Sequence, residues 1–309
     1  MKNNKIFNCV LAITFSCSAF VTFTQGDPNF RQNQFNILML NPAQAGANSY
    51  SEISALAVNQ WVGIPGAPKT YTASGNFKVM DNFGVGVALL GDQYGPVNLT
   101  KSDINLAYHL KLSENWKFGL GIRMSISNTT VNLTELSTIV DNDPYMQSNL
   151  RTGIAFNAGF GGLLYSKKFY AGFAMPQLAK TNFLNSNMTN FVDTRKGFIA
   201  YVGGCFKLNN RLDLRPNIVS RYVSGTPYNL DVNTILSFNK NFDFGVTYQW
   251  QSGLGAIVGY DIKQKFYVGY SFSYPVNQLN RVTTQTHELA LRFRFPQKSN
   301  RSQSPRFFI

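Results

Sequence analysis

The chain has 309 residues, with 28 lysines and arginines against 15 acidic residues and a formal charge of +13. The basic residues stand singly along alternating segments and form no tract, which argues against nucleic acid as a partner. Only 14% of residues are charged while 26 Phe and 15 Tyr are present, an aromatic load that is hard to hide in a water-soluble globule and easy to place in a membrane.

Met1 to Lys5 is basic, and Ile6 to Phe23 follows without a charge, the layout of an export signal. Asn8, Thr14 and Ser16 interrupt the run and make it a poor membrane anchor. Cleavage is expected after Ala19 or near Gln25, so 1–25 reads as a signal peptide. Thr14-Phe15-Ser16 lacks the small and leucine-like residues that precede an acylated cysteine, which disfavours a lipoprotein reading of Cys17. With Cys9 and Cys17 in that segment, Cys205 is alone in the mature chain and has no intramolecular disulfide partner. Loss of Lys2 and Lys5 leaves 26 basic against 15 acidic residues, or +11.

Residues 26–49 read as a periplasmic N-terminal segment, and 50–295 read as the membrane domain. From Tyr50 onward apolar residues recur at every second position over stretches of about nine to eleven residues, the length that crosses a bilayer at a tilt. Between Asn241 and Gln251, for example, Phe242, Phe244, Val246, Tyr248 and Trp250 alternate with Asp243, Gly245, Thr247 and Gln249. The pattern predicts strands at 50–61, 69–80, 83–92, 101–112, 115–127, 153–165, 168–175, 197–208, 211–222, 229–238, 241–250, 254–262, 264–274 and 286–295. The fold class is therefore all-β, a transmembrane antiparallel barrel of about fourteen strands.

Connections support the membrane reading, because tiny turns alternate with longer loops. Asp81-Asn82, Ser113-Glu114, Ser166-Lys167, Asn209-Asn210, Asn239-Lys240 and Lys263 form the short class. Trp61 to Pro68, Asp92 to Thr100, Asn128 to Thr152, Pro176 to Lys196 and Pro275 to Gln285 form the long, external class, while Gln251 to Gly253 is short where a loop is expected. Both ends of the barrel then fall on the short-turn side, giving an outer-membrane protein with periplasmic termini. In the last strand Leu289, Leu291, Phe293 and Phe295 share a face, the form of a barrel-assembly signal, although a plain final strand predicts the same residues. Residues 296–309 continue as a basic tail.

With the aromatic face toward outer-membrane lipid, the inner wall carries Lys111, Lys117, Arg123, Arg211, Arg215, Arg221, Lys265, Arg292 and Arg294 against Asp103, Asp213, Asp231, Asp243, Asp261 and Glu288. Such mixed charge suits cross-strand ion pairs, water or a plug better than a dedicated anion pore. Glycines at 84, 86, 119, 121, 159, 161, 203 and 245 fall mostly on the same face and leave room for long side chains or an inserted segment. One mature cysteine and two distant histidines give no metal site, and no Gly-x-Ser-x-Gly elbow accompanies His109 or His287. His109 reads as a lumenal hydrogen-bonding residue, His287 as interfacial and Cys205 as a small lumenal residue. No catalytic residue and no cofactor are expected.

Three segments go beyond general barrel character: Gln34-Phe35 leading to Asn41-Pro42-Ala43-Gln44-Ala45-Gly46, then Gln60-Trp61-Val62-Gly63-Ile64-Pro65-Gly66-Ala67-Pro68, then Gly91-Asp92-Gln93-Tyr94-Gly95-Pro96. Together with Asp143-Pro144-Tyr145, Lys168 to Phe173 leading to Pro176-Gln177-Leu178, and His287 to Phe293, they resemble the PorP/SprF family of Bacteroidota outer-membrane proteins. The resemblance runs from about Asp27 to Phe295 and implies a barrel of the type IX secretion and gliding-motility apparatus. It implies partners of two kinds: a secreted, adhesin-like surface protein held by its C-terminal domain, or periplasmic components of the secretion core. The Gly/Pro-punctuated loop with Gln60, Trp61, Gly63, Pro65, Gly66 and Pro68 suits a fixed docking surface, and equally a tight hairpin with Trp61 in the aromatic girdle. Asn41, Pro42, Ala43 and Gly46 precede the first strand and read either as a plug or cap of the periplasmic mouth or as a plain turn. A porin or solute transporter with a mixed-charge lumen is the alternative to the anchoring role.

Overall fold

A computed structural model describes residues 30–135, 149–151, 153–179, 196–277 and 285–295. The signal peptide and basic tail expected from the sequence lie outside the described residues. The strands are β1 (Ser51–Asn59), β2 (Lys69–Lys78), β3 (Phe83–Tyr94), β4 (Val97–Lys111), β5 (Lys117–Val131), β6 (Leu150–Arg151), β7 (Ala155–Tyr165) and β8 (Phe169–Met175). They continue with β9 (Gly197–Gly204), β10 (Phe206–Lys207), β11 (Leu212–Val223), β12 (Asn229–Phe238), β13 (Phe242–Gln249), β14 (Gly253–Ile262), β15 (Phe266–Pro275) and β16 (Thr286–Phe295). Two-residue β6 extends the ladder of β5, and β10 continues β9 past Cys205, so the segments make a closed antiparallel barrel of 14 strands. β1 and β16 close it, in register from Ser51↔Phe295 to Asn59↔His287. Closure leaves no strand edge, the condition for burying backbone amides and carbonyls in hydrocarbon.

The period-two pattern becomes two environments. On β13, Phe242, Phe244, Val246 and Tyr248 point outward and are exposed on the isolated chain, while Asp243, Thr247 and Gln249 are buried inside. Two of the short turns are mirror-type hairpins with both central residues at positive φ: Asn239 (50°) with Lys240 (61°), and Lys263 (54°) with Gln264 (57°). Asn241 N–H donates to Phe238 O at 3.1 Å and Lys265 N–H to Ile262 O at 3.0 Å, closing them. That hand of turn matches the right-handed strand twist.

Two expectations are corrected. Asp92 to Thr100 is not a loop: β3 and β4 pair out to Tyr94↔Val97 and only Gly95-Pro96 turn. Lys111, Arg211 and Lys265 are not part of the buried inner wall: they share its parity, but Lys111 forms the last pair of its ladder, Arg211 and Lys265 lie just before β11 and β15, and all three are exposed to water. Arg123, Arg215, Arg292 and Arg294 are buried within it, as are Asp103, Asp231, Asp243, Asp261 and Glu288.

Candidate functional site

The lumen is occupied by the chain's own residues. Phe30 to Asn48 is buried at every position, polar and apolar alike. It is built of a 3-10 turn (Asn33–Phe35), one turn of helix α1 (Ile37–Leu40) and a second 3-10 turn (Pro42–Gln44). Asn41 caps the second turn by accepting Ala43 N–H at 2.9 Å, and Pro42 supplies a preset φ at its first position.

Bonds from this segment reach strands all round the barrel. Glu288 of β16 accepts the backbone N–H groups of Arg31 (2.6 Å) and Gln32 (3.0 Å). Asn33 donates to Asp231 of β12 at 3.0 Å, and Asn36 to Thr72 of β2 at 3.1 Å. Arg123 of β5 donates to the Leu38 carbonyl at 2.5 Å and the Met39 carbonyl at 2.8 Å, satisfying groups that so short a helix leaves open. Asn41 donates to Gly162 O (2.9 Å) and Tyr201 OH (3.0 Å), and His109 Nε2 lies 2.7 Å from Ala45 O. Contacts to β2, β5, β9, β12 and β16 at once are available only to a segment inside the cylinder.

The segment runs along the axis. Arg31 to Asn33 meet Ser273, Glu288 and Asp231 near the loop ends of their strands, while Ala45 and Gly46 meet Gly84 and Asn76 near the short turns. Phe35 stacks on Tyr267 with ring centroids 4.7 Å apart, and Arg292 lies 4.7 Å over the Phe35 ring. Glycines make the passage. A Cβ on Gly84 would overlap the backbone of Ala45 and Gly46, one on Gly121 the backbone of Pro42 and Ala43, and one on Gly161 the Asn41 side chain. Gly86 faces Leu38 and Gly119 lies between His109 and Ala43, whereas Gly159, Gly203 and Gly245 are covered by neighbouring strands.

The wall is balanced by ion pairs. Arg294 meets Asp261 at 2.7 Å, Arg292 meets Glu52 at 3.5 Å, Arg215 meets Asp243 at 3.6 Å, and both Lys101 and Arg123 lie 3.7 Å from Asp103. Arg221 pairs with Asp231 and also donates to Asn33 Oδ1 at 2.7 Å. Among the described residues no cluster of three His, Cys, Asp or Glu side chains is placed to hold a metal. His109 Nδ1 is 3.1 Å from Tyr165 OH, and His287 Nδ1 is 2.6 Å from Tyr270 OH. Among the described residues neither histidine is bonded to both a nucleophile and a carboxylate as a triad requires.

The sequence-selected residues fall at three separate places. Asn41, Pro42, Ala43 and Gly46 lie in the lumen, toward its short-turn end. Gln60, Trp61, Gly63, Pro65, Gly66 and Pro68 lie in the loop at the opposite end, where Gln60 N–H donates to Pro68 O at 2.9 Å and Gly95 N–H to Gly66 O at 2.8 Å. Val62 N–H donates to Gln285 O at 3.0 Å, so this loop is fastened to the β3–β4 hairpin on one side and the entry of β16 on the other. Leu289, Leu291, Phe293 and Phe295 face lipid along β16. The expected external loops 128–152 and 176–196 lie largely outside the described residues. The holding roles of Glu288, Arg123, Asn76 and Tyr201 went unrecognised; inward parity marks them, but nothing in the local sequence tells a wall residue that grips a segment from one that pairs across strands.

The family model described as "Type IX secretion system membrane protein PorP/SprF" matches residues 22–293. No curated protein matches the chain in sequence. Among solved structures it is similar to the outer membrane protein Omp33 of Acinetobacter baumannii, with 11% identity, TM-score 0.47, and 81% of this chain and 100% of that one covered. A Pseudomonas aeruginosa FadL homologue gives 11% identity, TM-score 0.49 and coverage of 87% and 94%. The Ralstonia pickettii toluene transporter TbuX gives 12%, 0.47, and 84% and 93%. At these identities nothing of their ligands passes to this chain. A closed barrel with an apolar outer belt, joined to the family match over nearly its whole length, places the protein in the outer membrane, and the chain belongs to the PorP/SprF family of type IX secretion system membrane proteins.

Proposed function

We propose that the protein is a non-enzymatic docking barrel of the type IX apparatus, which anchors or receives a secreted surface protein bearing a C-terminal type IX domain, or joins the secretion core, and does not conduct solutes. The observation that carries this reading is the filled lumen: Phe30 to Asn48 is bonded to strands all round the wall and seated against glycines that admit no side chain. A general porin needs an open, water-lined path. The loop at 60–68, tied at both flanks, supports a preformed docking surface at the long-loop end.

In this reading the short-turn side is periplasmic. Tyr50 enters and Phe295 leaves the barrel there. Phe30 itself sits higher, in the loop-side half of the lumen, so the described part of the segment expected to be periplasmic, Phe30 to Asn48, lies inside the barrel instead, as the plug alternative has it. Purified full-length chain in planar bilayers is expected to show no steady unitary current, and a secreted surface protein is expected to co-purify from native membranes and be lost when Trp61 to Ala67 is replaced by a Gly-Ser linker. A large, stable conductance without a partner would instead assign the protein to the porins.

A further inference from the structure

The short-turn rim carries its charge unevenly. At the β2–β3 and β4–β5 turns Lys78 pairs with Asp81 at 3.2 Å and Lys111 with Glu114 at 2.7 Å, while Lys117, opposite Lys111, is half-buried. The next four short turns round the barrel differ. Lys167 and Lys168 stand at β7–β8, and Lys207 and Arg211 at the turn into β11. Lys240 stands at β12–β13, and Lys263 and Lys265 at β14–β15. All are exposed, and none makes an ion pair among the described residues. The nearest carboxylates do not offset them: Asp243 and Asp261 are buried with Arg215 and Arg294, which leaves half-buried Asp213.

Neighbouring short turns are two strands apart, about 10 Å, so the arc spans about 30 Å, the breadth of a protein contact rather than of an ion site. Register tells which way it faces. Lys207 pairs with Asp213, which pairs with Ser237, a buried lumenal residue. Lys168 and Lys265 stand two residues before Tyr170 and Tyr267, both lumenal, and share their parity. At the same level the lipid-facing positions are Phe169, Phe206, Phe238, Phe242 and Tyr260. Lys168, Lys207 and Lys265 therefore rim the mouth on the lumenal parity, while aromatic rings meet the lipid.

We propose that this arc docks the acidic face of a periplasmic protein; the inference rests on the assignment of the short-turn side to the periplasm. Charge selects the occupant. The chain's own tail brings Lys298, Arg301 and Arg306 and no acidic side chain, and a second copy would present the same sign. Lys168, Lys207 and Lys265 stand on the lumenal parity, away from lipid phosphates, while Lys167 and Lys240 lie on the parity of Phe169 and Phe242, so lipid is the competing occupant that vesicle binding reads. Lys240 and Lys263 both hold positive φ in turns that favour glycine or asparagine, as do uncharged Gln251 and Gln264.

The same strain supplies a clean variant, because Lys240→Gly and Lys263→Gly relieve it and leave the barrel folded. Native outer membranes holding the full chain are treated with a water-soluble carbodiimide, which joins amines to carboxylates, and the adducts are mapped by mass spectrometry. The expected result is linkage of the arc lysines to Asp and Glu of one periplasmic protein, with the adduct reduced about tenfold in the K240G/K263G variant and reduced by added salt. Linkage confined to peptidoglycan carboxylates, wild-type retention on phosphatidylglycerol vesicles with no protein adduct, or an adduct indifferent to the double variant would overturn the inference. Labelling of these lysines on intact cells by a membrane-impermeant amine reagent would instead overturn the sidedness on which it rests.

Discussion

At Gly121 wall and inserted segment meet backbone to backbone, and a Cβ there would overlap Ala43 N and the Pro42 carbonyl carbon, neither free to swing aside. Gly121→Ala is therefore expected to destabilise the folded barrel by about 1–3 kcal/mol, read as a lower temperature for loss of compact mobility in SDS gels. Gly91→Ala, whose Cβ meets nothing within 4 Å, is the matched control and is expected to be neutral. Arg123 is a different case. It is almost wholly enclosed, donates to two carbonyls of α1 and to Asn105 Oδ1, and lies beside Asp103, itself enclosed. Arg123→Met leaves that carboxylate with Lys101 as its remaining cation and is expected to cost about 3–5 kcal/mol by the same assay, more than the glycine change. Equal shifts for the two variants would mean that packing, not charge, holds this part of the lumen.

Strands β4 and β5 each run 15 residues, beyond the roughly 9–11 that cross a bilayer. The apolar alternation stops near Leu99 while the ladder continues through Asn98↔Thr130 and Val97↔Val131, where Val97, Asn98, Leu99 and Thr130 are half-buried and Thr129 and Val131 are buried. This is why Asp92 to Thr100 reads as a loop in sequence: without a lipid-facing side set against a lumenal one, that end of the strand carries no period-two signal. The lipid-facing parts of the strands and the short turns were legible for the opposite reason, since bilayer and water impose opposite demands on successive side chains. The extended hairpin braces the loop at 60–68 through Gly66, which has a φ of +73° and whose Cβ would come 3.3 Å from Gly95 Cα. Gly66→Val is expected to free the loop from the hairpin, with faster hydrogen exchange at the Gly95 amide and new protease cleavage within 60–68, while gel mobility of the barrel stays unchanged. Unaltered exchange at Gly95 would show that the Trp61 and Val62 attachments to β16 suffice.

For the whole molecule, mixed wall charge was visible in the sequence, but its division into two tasks was not. Pairs such as Arg294–Asp261 and Arg215–Asp243 link wall to wall, whereas Glu288, Arg123 and Asn76 are turned to the backbone of Phe30 to Asn48. The segment itself has no sequence period, because a chain surrounded on all sides has no wet face to alternate against; Ile37, Leu38, Met39 and Leu40 are all buried in one helical turn. Deleting Phe30 to Asn48 bares both signs at once, Glu288 and Asp231 among the acids and Arg123 and Arg221 among the bases. A conducting lumen of that kind has no ring of one charge to sort ions. The deletion variant is therefore expected to gain a steady current in planar bilayers, with a reversal potential near zero in a potassium chloride gradient. Strong anion selectivity would show that the cations of the short-turn mouth, not the mixed wall, control passage, and a silent deletion barrel would show that the segment is not what keeps the lumen closed.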